Sequence, residues 1–298
     1  MSGALDITLT RDGARLAARI VPPPAVPVAG LMLGRAPAEV AALMPRIFNL
    51  CGQAQGLAAR LAMGLEGGLE GGATDARREI LRDHLAQLCL HWPQALGLAP
   101  RALPEDWAAG GAALEHWLWG GDRPADLAGW LASGRGVAPV LAAIAAAFGP
   151  GEAIADLPPL SDPMALIAQE NSPAGRVADD PLMQAAAAAF GRGPLWRALG
   201  RGLDLARLCH NAPRPARLAP GLAVVEAARG SYALSVGVEA GRVTALTRVT
   251  PTDHLIAPGG VLERALASLP VAKADRAALL VAILDPCVPV QMREAEHA

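Results

Sequence analysis

Between residues 36 and 211 the chain repeats one local pattern, alanine- and leucine-rich stretches each stopped by proline or glycine. That texture constrains the fold more than any single motif. Alanine has the best helix propensity and no side-chain entropy to lose. Proline removes a backbone donor that a helix interior needs. The spacing predicts short helices near 75–91, 105–120, 124–133, 138–148 and 180–210, joined by tight turns. Aromatic residues make up only 3% of a chain that is 52% hydrophobic, so alanine, leucine and valine must fill the core. At 298 residues the chain is long enough for a sizeable one.

β-Patterned stretches flank this body. ALDITLTRDGARLAARIV (4–21) alternates and turns at Arg11-Asp12-Gly13, which reads as a hairpin. PPPAVP (22–27) is an extended connector, and GLEGGLEGG (64–72) reads as a solvated loop, with Thr74 or Asp75 capping the next helix. LAVVEAARGSYALSVGVEAGRVTALTRVTP (222–251) carries β-branched residues around Glu239-Ala240-Gly241 and predicts two or three strands. VLERALASL and DRAALLVAIL are short helices, and DPCVPVQMREAEHA closes the chain as a tail. The expectation is one domain over 1–298, mainly α with a small β-sheet (α+β). Residues 4–21 and 222–251 build the sheet, and 36–211 with 259–285 form the helical body. That arrangement brings the two terminal segments close together.

A formal net charge of −2 gives no electrostatic reason to expect nucleic acid or an acidic membrane. Lys273 is the only lysine. The start, MSGALDITLTRDG, lacks the layout of a signal peptide. The uncharged stretch Gly136 to Gly151 is interrupted by Pro139 and Pro150 and falls short of the roughly 20 apolar residues of a membrane span. A cytoplasmic protein without a membrane span is therefore expected. The four cysteines, at 51, 89, 209 and 287, form no CxxC pair, which argues against a disulfide framework or a self-sufficient zinc site. No catalytic triad order, His-Glu-x-x-His helix or dinucleotide fingerprint is present. Cys209-His210 are adjacent and point apart on a helix. His84 and His91 are too far apart for one metal, so with Cys89 they suggest a helix-end cap or a partner surface. His254 is placed to approach any pocket near residue 252, and His297 reads as a solvated tail residue.

Two cysteines lie in stretches that belong together. LDPCVPVQMR (284–293) resembles the C-terminal motif of nickel–iron hydrogenase large subunits, Asp-Pro-Cys-x-x-Cys-x-x-His or Arg. Asp285, Pro286, Cys287 and Arg293 match, and Val290 stands at the second cysteine. RIFNLCGQAQ (46–55) resembles the partner motif, Arg-x-Cys-Gly-x-Cys. Arg46 and Cys51 match, while Phe48 and Asn49 replace the first cysteine and the glycine. A gapped alternative equates Cys51-Gly52 with the family's first Cys-Gly. LGRAPAEVAALMPRI just upstream supports the ungapped match. Glu226, Ala227, Arg229 and Gly230 follow the family's Glu-Ala-Pro-Arg-Gly segment with Ala228 for proline, and Pro251-Thr252 follows its later Pro-Thr segment. The matches fall in order at both ends, and the middle, 95–215, carries none.

In the family, four thiolates hold nickel and two of them bridge to an iron carrying cyanide and carbon monoxide. The resemblance thus implies Cys51 and Cys287 as metal ligands, with Arg229 and Thr252 facing the cofactor's diatomic ligands. Half the thiolates are absent, and PVAGLMLGR, where the family has an Arg-Gly-x-Glu motif, contains no acid. Both losses argue against hydrogen turnover, so no enzyme activity is expected. What remains is similar to the HupK-type hydrogenase accessory proteins, which resemble a shortened large subunit. That resemblance implies a scaffold or chaperone in hydrogenase maturation, partnered by the hydrogenase large subunit and maturation chaperones. Its cargo would be a transient iron cyanide/carbonyl fragment, or less readily nickel, held by Cys51 and Cys287. The alternative is a non-catalytic or quinone-type electron-transfer subunit of the hydrogenase and complex I superfamily, which predicts an open pocket. Read as residues alone, the two cysteines could equally be inert packing, and Arg229 could pair with Glu226 or the sheet edge.

Overall fold

Leu5, Ile7 and Leu9 alternate along β1 (Leu5–Asp12) and are all buried, which fixes the strand's inner face. The computed structural model describes residues 3–13, 15–24, 27–48 and 50–295. Asn49, His297 and part of the PPPAVP connector lie outside them. β1 pairs antiparallel with β2 (Arg15–Val21), so the N-terminal hairpin forms as its pattern predicts.

The helical body follows as α1 (Val28–Met32), α2 (Pro37–Ile47), α3 (Gly52–Ala62) and α4 (Leu69–Ala86). α4 widens into a π turn over Gln87–His91 and runs on into α5 (Trp92–Ala95). Next come α6 (Gly111–Trp119), α7 (Leu127–Ala132), α8 (Ala138–Ala147), α9 (Pro173–Arg176), α10 (Pro181–Phe190) and α11 (Pro194–His210). Fifteen of the 17 residues of α11 are buried, Arg197, Arg201 and Asp204 among them. A central helix with that composition must pair its charges internally.

Two local expectations are corrected here. α4 begins at Leu69, inside the glycine-rich run, and Thr74 is not its cap: the hydroxyl donates to the Glu70 carbonyl from within the helix. Leu69, Ala73, Ala76 and Ile80 share one apolar face, and burying it outweighs the helix cost of the glycines. The segment 180–210 is two helices, because Gly191, with φ of 79°, and Pro194 break it.

The chain ends with β3 (Ala216–Ala219), β4 (Leu222–Ala227), β5 (Gly230–Glu239), β6 (Arg242–Val249), α12 (Pro251–Leu255), α13 (Val261–Ala267), α14 (Ala277–Leu284) and β7 (Val290–Glu294). The expected single sheet is two. β3 to β6 form an antiparallel meander, whose Ala240-Gly241 turn has positive φ at both residues. The N-terminal hairpin joins β7 instead, in the order β2-β1-β7, with β1 and β7 parallel from Leu5↔Val290 to Leu9↔Glu294. β7 lies in the stretch expected to be a tail. The two ends of the chain do meet, through this pairing.

Candidate functional site

The tight Arg46-to-Cys51 stretch must turn sharply between α2 and α3, and Cys51 takes that turn in the left-handed region at φ 55°. For a non-glycine residue this costs about 1–2 kcal/mol. Gly52 makes the turn possible, because a Cβ there would stand 2.8 Å from the Pro45 carbonyl oxygen. Glu79 of α4 holds the new helix start. Its carboxylate accepts from the backbone N–H groups of Gln53 at 3.0 Å and Ala54 at 3.3 Å. Burial raises the Glu79 carboxyl from its ordinary value, and the two N–H groups only partly offset that.

Cys287 arrives from the other end of the chain. α14 stops at Leu284, and Asp285 caps it in the left-handed region at φ 53°. The backbone N–H of Cys287 donates to Thr252 Oγ1 at 2.9 Å. Thr252 is fixed in turn by a capping box in which Thr250 and Asp253 exchange hydrogen bonds at the start of α12. These turns bring the two thiols together, near enough for each to shift the other's acidity. The Cys287 side chain and then burial hold the Cys51 thiol above its ordinary value. The Cys51 side chain, Arg229 and Thr252 outweigh burial and lower that of Cys287. Cys51 is buried and Cys287 half-buried.

Arg229 lies over the pair, its Nη1 4.0 Å from Cys51 Sγ. Its pairing with Glu226, one of the two structural roles considered, does not occur. Arg229 instead donates to the Asp285 carbonyl at 3.0 Å and carboxylate at 3.1 Å, and pairs with Asp83 at 3.3 Å. Arg201 of α11 closes the ring, donating to Asp83 at 3.1 Å and Asp285 at 2.6 Å. Two arginines and two aspartates thus form a closed loop, its arginines buried and its aspartates partly so, with Arg229 fixed beside the sulfurs. A cavity of about 30 Å³ borders this ring, lined in part by Asn171, Arg197, Arg201, Arg229, Thr252 and Asp285. Among the described residues no group of three or more histidines, cysteines and carboxylates is placed to enclose a metal.

The other singled-out residues do not join the thiols. His84 is no helix-end cap: it is fully buried, with Nε2 2.9 Å from Asp204. Burial lowers its pKa despite that partner. Burial pushes the Cys89 thiol up to about 11 and the Cys209 thiol up to about 12. His210 pairs with Glu115 on the surface. His254 comes near the cavity but is occupied, between Asn171 and the Ala165 carbonyl. Phe48, at a lost cysteine position, lies under the Arg248 guanidinium at 4.8 Å, and Val290, at the other, is in β7. Sequence reasoning missed Glu79, Asp83 and Arg201. No signal set them apart, since α4 and α11 each carry several other charged residues.

No family model matches the chain. A curated protein does: it is 65% identical over 298 residues, all of both chains, to the hydrogenase expression/formation protein HupK of Rhodobacter capsulatus. In fold the chain is similar to the Ni-Fe-Se hydrogenase of Desulfovibrio vulgaris Hildenborough. The reduced enzyme gives a TM-score of 0.57 at 14% identity over 93% of this chain and 94% of that one. The oxidised, as-isolated enzyme gives 0.58 at 15% over 94% and 95%. No helix among the described residues is long and apolar enough to cross a membrane. By full-length identity and by fold, this chain belongs to the HupK family of hydrogenase expression/formation proteins, built on the large-subunit fold.

Proposed function

We propose that this chain acts in hydrogenase assembly as a non-catalytic holder, taking an iron cyanide/carbonyl fragment as cargo on Cys51 and Cys287. The observation that carries this is the meeting of those two thiols, from opposite chain ends, under Arg229. Thiolates are soft ligands suited to such a metal. Two of them leave most of the coordination shell to the fragment's own ligands, so release stays feasible. Arg229 offsets the thiolate charge and offers N–H donors beside the sulfurs, and Thr252 fixes the Cys287 backbone. The fragment enters when the Pro286–Pro289 loop moves, since the neighbouring cavity of about 30 Å³ has room for only about two waters. A cavity that small does not favour the quinone-type alternative, which needs an open pocket. The partners are the hydrogenase large subunit, to which the fragment passes, and the maturation chaperones that deliver it.

The test is anaerobic co-production with the maturation machinery. Infrared bands of bound cyanide and carbon monoxide are expected on the purified protein, lost in Cys51→Ser and in Cys287→Ser. A protein without such bands, together with unchanged hydrogenase maturation in Cys51→Ser, would overturn the holder.

A further inference from the structure

Cys51 and Cys287 are free thiols that converge beside Arg229, which lies 4.0 Å from Cys51 Sγ and is bound to Asp285 two residues before Cys287, and neither is locked inside a helix. Cys51 forms the turn before α3, and Cys287 sits in the Pro286–Pro289 loop between α14 and β7. The other two cysteines contrast with them. Cys89 lies within the π turn and Cys209 within α11, both are buried, and neither has a cysteine neighbour. Cys287 is half-buried and Cys51 buried, so Cys287 is the more exposed residue of the two.

We propose that Cys51 and Cys287 form a reversible disulfide, made by a peroxide-class oxidant and broken by a small dithiol, which closes the site. In the first step the Cys287 sulfur attacks one peroxide oxygen. The O–O bond breaks, one water leaves, and Cys287 becomes a sulfenic acid. In the second step the Cys51 sulfur attacks that oxidised sulfur. The S–S bond forms, the S–O bond breaks, and a second water leaves with the Cys51 proton. Two thiols and one hydrogen peroxide give one disulfide and two waters. Reduction by a dithiol returns both thiols and leaves the reductant as its own disulfide.

The bond has two consequences. It removes both candidate ligands at once, so the oxidised chain holds no metal at this site. It also covalently joins the turn before α3 to the loop before β7, across 235 intervening residues. The first consequence rests on the proposed holding function, whereas the bond itself does not. Arg229 stays beside the sulfurs in either state, because Asp83 and Asp285 hold it independently of them.

The experiment treats the full-length, metal-free protein with a slight excess of hydrogen peroxide and reads intact mass, free-thiol count and peptide maps. Titratable thiols in the unfolded product are expected to fall from four to two. The mass should drop by two hydrogens, and one cross-linked peptide should join Cys51 to Cys287. Dithiothreitol should restore all four thiols. Cys51→Ser should stop at an oxidised Cys287 with no intramolecular link, and Cys89→Ala should behave as the parent protein does. A Cys287 that proceeds to sulfinic acid without linking, or a link that involves Cys89, Cys209 or a second chain, overturns the proposal. The infrared test can fail while the disulfide forms, and the disulfide can fail while the bands appear, so the two readings fall separately.

Discussion

Asp83 and His84 are neighbours on α4, yet each belongs to a different buried charge cluster. Successive helical residues point about 100° apart, so one helix serves both. His84 faces Asp204, which is fully buried and bound by Arg176 at 2.6 Å and Arg207 at 2.8 Å, with Glu226 joining Arg207 at 2.7 Å. That cluster ties α4, α9, α11 and β4 together and has no thiol beside it. Asp83 faces Arg229 and Arg201, in the ring that also holds Asp285. The same chemistry serves two ends. One cluster is closed on itself and cements the centre, while the other holds a guanidinium against a pair of sulfurs.

The comparison breaks most sharply at Asp204. Asp204→Ala leaves Arg176, Arg207 and the buried His84 without their shared anion, and removing one partner of a buried ion pair costs about 3–5 kcal/mol. The urea midpoint is expected to fall accordingly. A midpoint within experimental error of the parent would show that the central cluster is not what holds these elements. Oxidative linkage of Cys51 to Cys287 should survive in whatever fraction stays folded, because Asp204 does not touch the thiol site.

Acid should find the same cluster. Burial alone would raise the Asp204 carboxyl, but Arg176, His84 and Arg207 outweigh it and hold it well below the carboxylate range. Its stabilisation is therefore complete above the ordinary carboxylate value and is lost as pH falls below it. His84 acts earlier. Burial keeps it neutral in the fold, so the unfolded chain binds the proton first, and stability declines as pH falls through about 6.5. The slope there is at most about 1.4 kcal/mol per pH unit. His84→Gln should flatten the decline between pH 7 and 5. A decline that persists unchanged would assign it to another group.

How far the sequence disclosed these two clusters differs in an instructive way. The convergence of Cys51, Arg229, Thr252 and Cys287 was expected because they sit in short motifs that resemble those of the hydrogenase large subunit, not because of any pattern of the residues alone. Its supports were not legible. Asp83, Arg201 and Glu79 lie in ordinary helices, and their partners are set by packing between segments far apart in the chain. The central cluster was invisible for the same reason, and His84 read as a helix-end cap or part of a partner surface. Among the elements, most helices and strands β4 to β6 followed from local pattern, although β3 lies before the expected 222–251 and the helix expected over 180–210 is two. β7 did not, since VQMRE has little strand character and becomes a strand only because β1 offers it an edge.

Arg229 sharpens the comparison from the other side, with a smaller effect on stability. Arg229→Gln loses charged hydrogen bonds to Asp285 and Asp83, each worth about 1.5–3 kcal/mol. Arg201 still bridges both aspartates and offsets part of that loss. A net cost of about 2 kcal/mol is expected, well below that of Asp204→Ala. The functional effect should be the reverse: cargo bands and hydrogenase maturation fall strongly in Arg229→Gln. If Arg229→Gln matures hydrogenase as the parent does, the guanidinium is only structural and the two clusters are alike.

The smallest effect is expected at Cys89. Its thiol is pushed up to about 11 by burial and sits in the apolar packing of the π turn. Cys89→Ala removes roughly one methylene-sized group from the core, about 1 kcal/mol with partial relaxation. Peroxide sensitivity and cargo bands should be unaltered. A thiol this deep and pushed up is inert, whereas Cys287 is half-buried and its thiol is lowered: reactivity follows the charge and access around a sulfur. If Cys89→Ala instead abolishes the infrared bands, that rule fails here, and the difference between the two pairs of cysteines is not one of environment.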